Sequence, residues 1–124
     1  MILIFGGAGH GKRAYAQSKY SINDIYECTW ESVLPDLNAK AIAGLEKCVY
    51  ACVKNNTDPR AVLKEHMEKL QETVIICEDV TCGVVPMGEE NRRWRDETGR
   101  VMAMLSQHAQ HVVRVFCGLE QVLK

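Results

Sequence analysis

Gly6-Gly7-Ala8-Gly9-His10-Gly11-Lys12 is the stretch on which the fold turns. It fits the pattern GxxxxGK, with the apolar run Ile2-Leu3-Ile4-Phe5 before it and a helical pattern over 12–19 after it. Glycines let successive backbone N–H groups turn inward around an anion. The helix that follows points its positive end at the same spot. Lys12 adds a mobile charge for the β- and γ-phosphates of a nucleotide. The candidate nucleotide-binding residues are therefore Gly6, Gly7, Ala8, Gly9, His10, Gly11, Lys12 and Arg13, and Lys12 is also a candidate catalytic residue. In this motif a Ser or Thr normally follows the lysine, and its hydroxyl binds Mg²⁺. Here Arg13 stands there. A guanidinium cannot ligate a cation but pairs with phosphate. The expectation is phosphate binding with weakened Mg²⁺ use, and His10 as a further phosphate donor. A glycine turn that merely joins strand to helix would leave four glycines and a lysine unexplained.

Outward from the loop, strands and helices alternate. Residues 25–30 alternate weakly and suggest an edge strand. Pro35 and Asn38 mark a loop. Residues 41–45 read as a buried strand leading into a helix over 47–55, although their alanines also suit one continuous helix. Asp58-Pro59 is a helix start, with Asp58 as N-cap and Pro59 at the first helical position, and the helix is expected to reach Gln71. Residues 73–77 are β-branched and apolar, a buried strand. A glycine- and proline-containing loop over 81–88 follows, then a long helix over 89–109 with Trp94, Val101, Leu105 and His108 on one stripe. Residues 111–116 form the last strand, which Gly118 breaks. The alternation gives an α/β fold with a mainly parallel sheet and right-handed crossovers.

Length and composition exclude other classes. The 124 residues suit one domain over the whole chain. A 47% hydrophobic, 25% charged chain has enough apolar surface to offset chain entropy, which argues against disorder. Fifteen basic against sixteen acidic residues give no net drive toward nucleic acid. No run approaches the length of a membrane span, and the apolar start lacks a signal peptide's basic flank, so a cytoplasmic setting is expected. The six cysteines, at 28, 48, 52, 77, 82 and 117, form no CxxC pair and read as buried free thiols.

Three further segments carry a resemblance. Residues 77–86 read CEDVTCGVVP, residues 92–100 read RRWRDETGR, and Gly118-Leu119 leads to a terminal Leu123-Lys124. With the opening ILIFGGAGHGKRAYAQ, these resemble in order the adenosylcobinamide kinase / adenosylcobinamide-phosphate guanylyltransferase family. The resemblance covers residues 1–17 and 73–124. It implies a P-loop NTPase fold of the RecA-like type and an oligomeric assembly. It implies phosphorylation of the side-chain alcohol of a cobinamide by ATP or GTP, then guanylyl transfer through a histidine. It assigns Gly6, Gly7, Gly11 and Lys12 to the phosphate loop. Asp79 takes the place of a family glutamate, as a candidate catalytic carboxylate and Mg²⁺ ligand. Gly83 and Pro86 match the following loop, and Arg95, Asp96, Gly99 and Arg100 the helix motif. Glu46 stands near a family glutamate at the end of an apolar strand. Residues 18–40 hold no histidine, so guanylyl transfer by the family route is not expected. Gln17 for a helix glutamate and Met102-Ala103 for Asn-Gln are further departures.

The residues themselves leave alternatives open. Asp79 follows a buried strand, where open parallel sheets bind ligands, but a turn-capping role suits it equally. Arg92 and Arg93 suit a solvated face paired with nearby carboxylates. Arg95 and Arg100, with Glu46, are candidates for phosphate or acceptor contact, or Arg95 and Arg100 for an intersubunit ion pair. His108 and His111 have no third ligand nearby, and Trp94, Met102 and Met104 suit packing. Three readings fit: a nucleotide-dependent kinase acting on a cobinamide-like alcohol, a non-catalytic nucleotide sensor or scaffold for a partner enzyme, or an α/β interaction module whose loop binds only adventitious sulfate. An apolar stripe on the long helix favours homo-oligomers.

Overall fold

The computed structural model describes residues 1–81 and 88–124. The expected loop over 81–88, and the matches at Gly83 and Pro86, therefore fall largely outside the described residues. The chain order is β1 (Ile2–Gly6), α1 (Lys12–Tyr20), β2 (Tyr26–Glu27), β3 (Ala41–Ala43), α2 (Leu45–Lys54), α3 (Pro59–Glu65), α4 (Met67–Leu70), β4 (Val74–Glu78), α5 (Glu89–His108), β5 (His111–Phe116) and β6 (Leu119–Val122). The six strands make one sheet in the order β2-β3-β4-β1-β5-β6. All neighbours are parallel except β5 and β6. This is the α/β, mainly parallel, helix-flanked architecture that the alternation predicts.

The strands explain the layers. They are buried on both faces, so they read as continuous apolar runs. Successive side chains go to opposite sides. Leu3, Ile42, Ile75 and Val112 pack with Leu45, Val49, Leu63, Val101 and Leu105 of α2, α3 and α5. Ile4, Ala41, Ala43, Ile76, Val113 and Val115 pack against Ala16 and Tyr15 of α1. Connections that cross the sheet in opposite directions thus place their helices on opposite faces, as a common crossover hand requires.

Several elements differ from expectation. The strand at 41–45 is shorter, because Gly44 adopts φ 73°, a left-handed conformation that ends β3 and starts α2 at Leu45. A continuous helix there is ruled out. The expected edge strand over 25–30 shrinks to two residues. The helix from Pro59, capped by Asp58 through the Arg60 N–H, ends at His66 (φ −115°), and α4 is a separate turn. Gly118 does not end the sheet. Cys117 (φ 51°) and Gly118 (φ 76°) are both left-handed, which suits a two-residue hairpin turn, and β6 returns along β5. Lys124, just beyond β6, donates to the Ser106 and Gln107 carbonyls near the end of α5, where a cation is favoured. His108 is exposed rather than part of the packed stripe, which Thr98, Val101 and Leu105 form. Among the described residues the large exposed apolar side chains are Trp30, Phe116, Leu119, Val122 and Leu123, not a face of α5. Among the described residues no helix is long and apolar enough to cross a membrane.

Gly6 ends β1 where a Cβ would lie 2.3 Å from the Val115 carbonyl oxygen of β5. A backbone atom cannot swing aside as a side chain can. Gly6→Ala is expected to cost roughly 1–3 kcal/mol of stability, read from urea unfolding. An unchanged unfolding midpoint would contradict this packing.

Candidate functional site

The glycine loop over 6–12 leaves the carboxyl end of β1, the strand flanked by β4 and β5. Gly9 (φ 72°) and Gly11 (φ 93°) hold left-handed conformations, and Gly11 caps the start of α1. Lys12 is buried, and its ammonium donates to the Gly7 carbonyl at 2.8 Å. The lysine therefore lies across the loop rather than out in solvent. A shallow hollow of about 490 Å³ adjoins Gly11 and Gly118.

His10 is fastened to the β5–β6 turn. Its Nδ1 accepts the Cys117 N–H at 2.9 Å, and its carbonyl accepts the Gly118 N–H at 2.9 Å. Its ring stacks on Phe116 at 4.9 Å. A ring that accepts at Nδ1 carries its proton on Nε2, so neutral His10 offers a donor there and not a nucleophilic lone pair. The imidazole edge lies over Gly7, where a Cβ would meet it at 2.8 Å. Tyr15 of α1 donates to Glu120 of β6, a second tie between the hairpin and the helix behind the loop.

Arg13 turns to the other side. Its Nε and one terminal nitrogen donate to the two carboxylate oxygens of Glu27, each at 2.7 Å. Fork-on-carboxylate geometry is the strong form of this pair, although both side chains are about half exposed. Sequence alone did not single out Glu27; the only signal was its place on a weak edge strand.

Two candidate carboxylates lie just past the carboxyl ends of β3 and β4, Glu46 in the first turn of α2 and Asp79 directly after β4. Glu46 is 6% exposed, and its Oε1 accepts the Glu78 N–H at 2.9 Å. Burial holds its carboxyl above the ordinary range, partly offset by that N–H. Asp79 donates its backbone N–H to the Gly6 carbonyl at 2.8 Å, which seats it beside the loop. Its carboxylate accepts the Thr81 N–H at 3.0 Å and the Thr81 hydroxyl, the turn arrangement weighed above.

Other candidates lie apart. Arg95 pairs with Asp96, and Arg100 donates to Glu97 at 2.8 Å. Arg100 lines a cavity of about 550 Å³ together with Arg60, Arg93 and Asp58, and no residue of the loop over 6–13 borders it. The thiols of Cys28, Cys48, Cys52 and Cys77 are buried and free, while Cys117, on the hairpin turn, is exposed. Cys82 lies outside the described residues. Hydrogen bonding to Cys48 and burial raise Cys28, and burial pushes Cys52 up to about 11 and raises Cys77. A raised value favours the neutral thiol over the reactive thiolate in these three side chains.

The Glu46 environment predicts a pH effect. Its folded pKa is raised, so the unfolded chain releases the proton first as pH rises. Stability is then greatest below the ordinary Glu pKa, falls as pH passes through the raised value, and levels off. Glu46→Gln keeps an acceptor for the Glu78 N–H and removes the ionisation. Its urea midpoint is expected to exceed the parent's at about pH 7.5, with the gap closing toward about pH 4. Equal midpoints at both pH values would show that the carboxyl is not strained by burial.

A comparison with curated proteins found no match. A family model described as cobinamide kinase / cobinamide phosphate guanyltransferase matches residues 44–123. The match runs from the end of β3 through β6 and does not include the glycine loop over 6–12. The family is P-loop NTPase-like, works in cobalamin biosynthesis and uses nucleoside triphosphates. On a match over well more than half its length, the chain belongs to the cobinamide kinase / cobinamide phosphate guanyltransferase family.

Proposed function

We propose that the chain binds ATP or GTP at residues 6–13 and transfers the terminal phosphoryl group to the side-chain alcohol of a cobinamide. The observation that carries this reading is the loop itself. Gly9 and Gly11 are left-handed, and the Lys12 ammonium lies buried across the loop at the Gly7 carbonyl. Triphosphate oxygens would draw that ammonium from the carbonyl, because a charged acceptor outcompetes a neutral one. The loop amides and the start of α1 supply the remaining positive potential. His10 adds its Nε2–H.

The acceptor hydroxyl attacks the γ-phosphorus, the bond to the β–γ bridging oxygen breaks, and the hydroxyl proton passes to a carboxylate. Asp79 is the proposed acceptor of that proton, since its backbone bond to Gly6 holds it beside the loop. The donor set fits Mg²⁺ only in part: Asp79 offers a carboxylate oxygen, whereas Arg13 offers none. A bound Mg²⁺ would neutralise charge on the phosphates, held by Asp79 and by the nucleotide's own oxygens. Guanylyl transfer is not part of the proposal. His10, the histidine of the loop, presents a proton where a nucleophile needs a lone pair, and residues 18–40 contain no other.

One observation favours a second reading. Arg13 stands at the sequence position of the motif's metal-binding hydroxyl and its guanidinium is held by Glu27, as a non-catalytic nucleotide sensor or scaffold would allow. Calorimetric titration of ATP and GTP, with and without Mg²⁺, separates the two. The kinase reading expects micromolar binding that strengthens with Mg²⁺ and is lost in Lys12→Ala. It also expects Asp79→Asn to lower kcat for cobinamide by about a hundredfold or more with nucleotide affinity intact. Binding that needs Lys12 but ignores Mg²⁺, with no turnover, would support the sensor. No nucleotide binding would sink both.

A further inference from the structure

Three aromatic residues far apart in sequence meet above the carboxyl ends of β2 and β3. Trp30 follows β2, Tyr50 lies on α2 and Trp94 on α5. Their rings are mutually edge-to-face: Trp30–Tyr50 at 5.4 Å and 89°, Trp30–Trp94 at 5.9 Å and 68°, Tyr50–Trp94 at 5.7 Å and 88°. Tyr50 and Trp94 are half-buried, and each has its polar atom satisfied. The Tyr50 hydroxyl donates to Glu90 at 2.7 Å, and the Trp94 indole N–H donates to the Glu46 carbonyl at 2.8 Å. Trp30 differs. It is braced by the two other rings yet 45% exposed, and the Lys47 ammonium stands 5.7 Å from its ring centre. A large indole held rigid at the surface loses little entropy when a flat partner stacks on it.

The cluster is continuous with the candidate site. The Trp94–Glu46 bond ties it to the residue whose carboxylate holds the Glu78 N–H, next to Asp79. It stands on the β3 side of the phosphate loop, on the face of α2 and α5 and away from α1. An acceptor resting there would approach the loop from the side that α1 does not cover.

Resting on the kinase reading, we infer that Trp30, braced by Tyr50 and Trp94 and flanked by Lys47, is the docking platform for the flat macrocycle of cobinamide. The chemistry is complementary. A corrin ring presents broad apolar area and carries amide arms at its rim. The indole takes the former, and the Lys47 ammonium donates to an amide carbonyl of the latter. The edge-to-face packing of the two inner rings fixes the platform before the acceptor arrives.

The test is calorimetric titration of cobinamide into the full chain and into Trp30→Ala, Trp30→Phe and Lys12→Ala, with ATP and GTP titrated in parallel. Trp30 is exposed, so its variants are expected to fold, which circular dichroism checks. Trp30→Ala should bind cobinamide about tenfold or more weakly, by analogy with loss of an aromatic stacking partner, with unchanged nucleotide affinity. Trp30→Phe should restore most of the affinity, and Lys12→Ala should bind cobinamide like the parent. Unchanged cobinamide affinity in Trp30→Ala, or no cobinamide binding by the parent chain, would overturn the platform. So would a loss confined to nucleotide, which would make Trp30 a base-stacking residue. Failure of the kinase reading shows separately, as cobinamide binding through Trp30 with no nucleotide binding.

Discussion

The close approach of β1 to β5 at Gly6 sets the course of the chain through the site. A side chain there would meet the Val115 carbonyl, so the strand can end in this place only as glycine. From that point the backbone turns over the carboxyl edge of the sheet and enters α1 at Lys12. The same approach brings the β5–β6 turn within reach of His10, whose carbonyl and ring nitrogen take two N–H groups from that turn. Asp79 joins from the other flank through the Gly6 carbonyl. The loop is thus held from β4 on one side and from the hairpin on the other. Backbone amides fixed in this way need little reorganisation to meet an anion.

Much of this was legible where one physical signal dominates. Apolar runs of β-branched residues marked β1, β4 and β5, because strands buried on both faces have no polar alternation to confuse them. Asp58-Pro59 marked a helix start, and the Asp58 carboxylate does cap it. The strand β6 was hidden for the opposite reason: it is exposed along its whole length, so nothing in Leu119-Glu120-Gln121-Val122 repeats at strand period. Its signal was the turn, since Gly118 permits a hairpin as readily as a break. The helix expected through His66 and the longer strand before Gly44 show a related weakness, as single residues at unusual dihedrals set the boundaries.

Within the site, spacing identified the residues of the loop but not their partners. Arg13 was legible as a departure from the motif; its bond to Glu27 across fourteen positions was not. The aromatic cluster joins positions 30, 50 and 94; Trp94 reads alone as a packing residue, and nothing in the sequence ties it to the other two. The packing of α2 on α5 brings Tyr50 to Trp94, and the segment after β2 lays Trp30 against both. Arg95 and Arg100 illustrate the reverse: they sit in a motif, yet the structure occupies both with carboxylates of their own helix.

The family and the loop together make phosphoryl transfer to cobinamide the central claim, and the mass of the acceptor tests it most directly. Cobinamide would be incubated with the full chain, Mg²⁺ and ATP or GTP, and its mass compared with that from a parallel Lys12→Ala incubation. The account predicts a gain of one phosphoryl group with the parent chain and none with the variant. Cobinamide recovered unchanged from both, under conditions where the parent binds nucleotide and cobinamide, would contradict it.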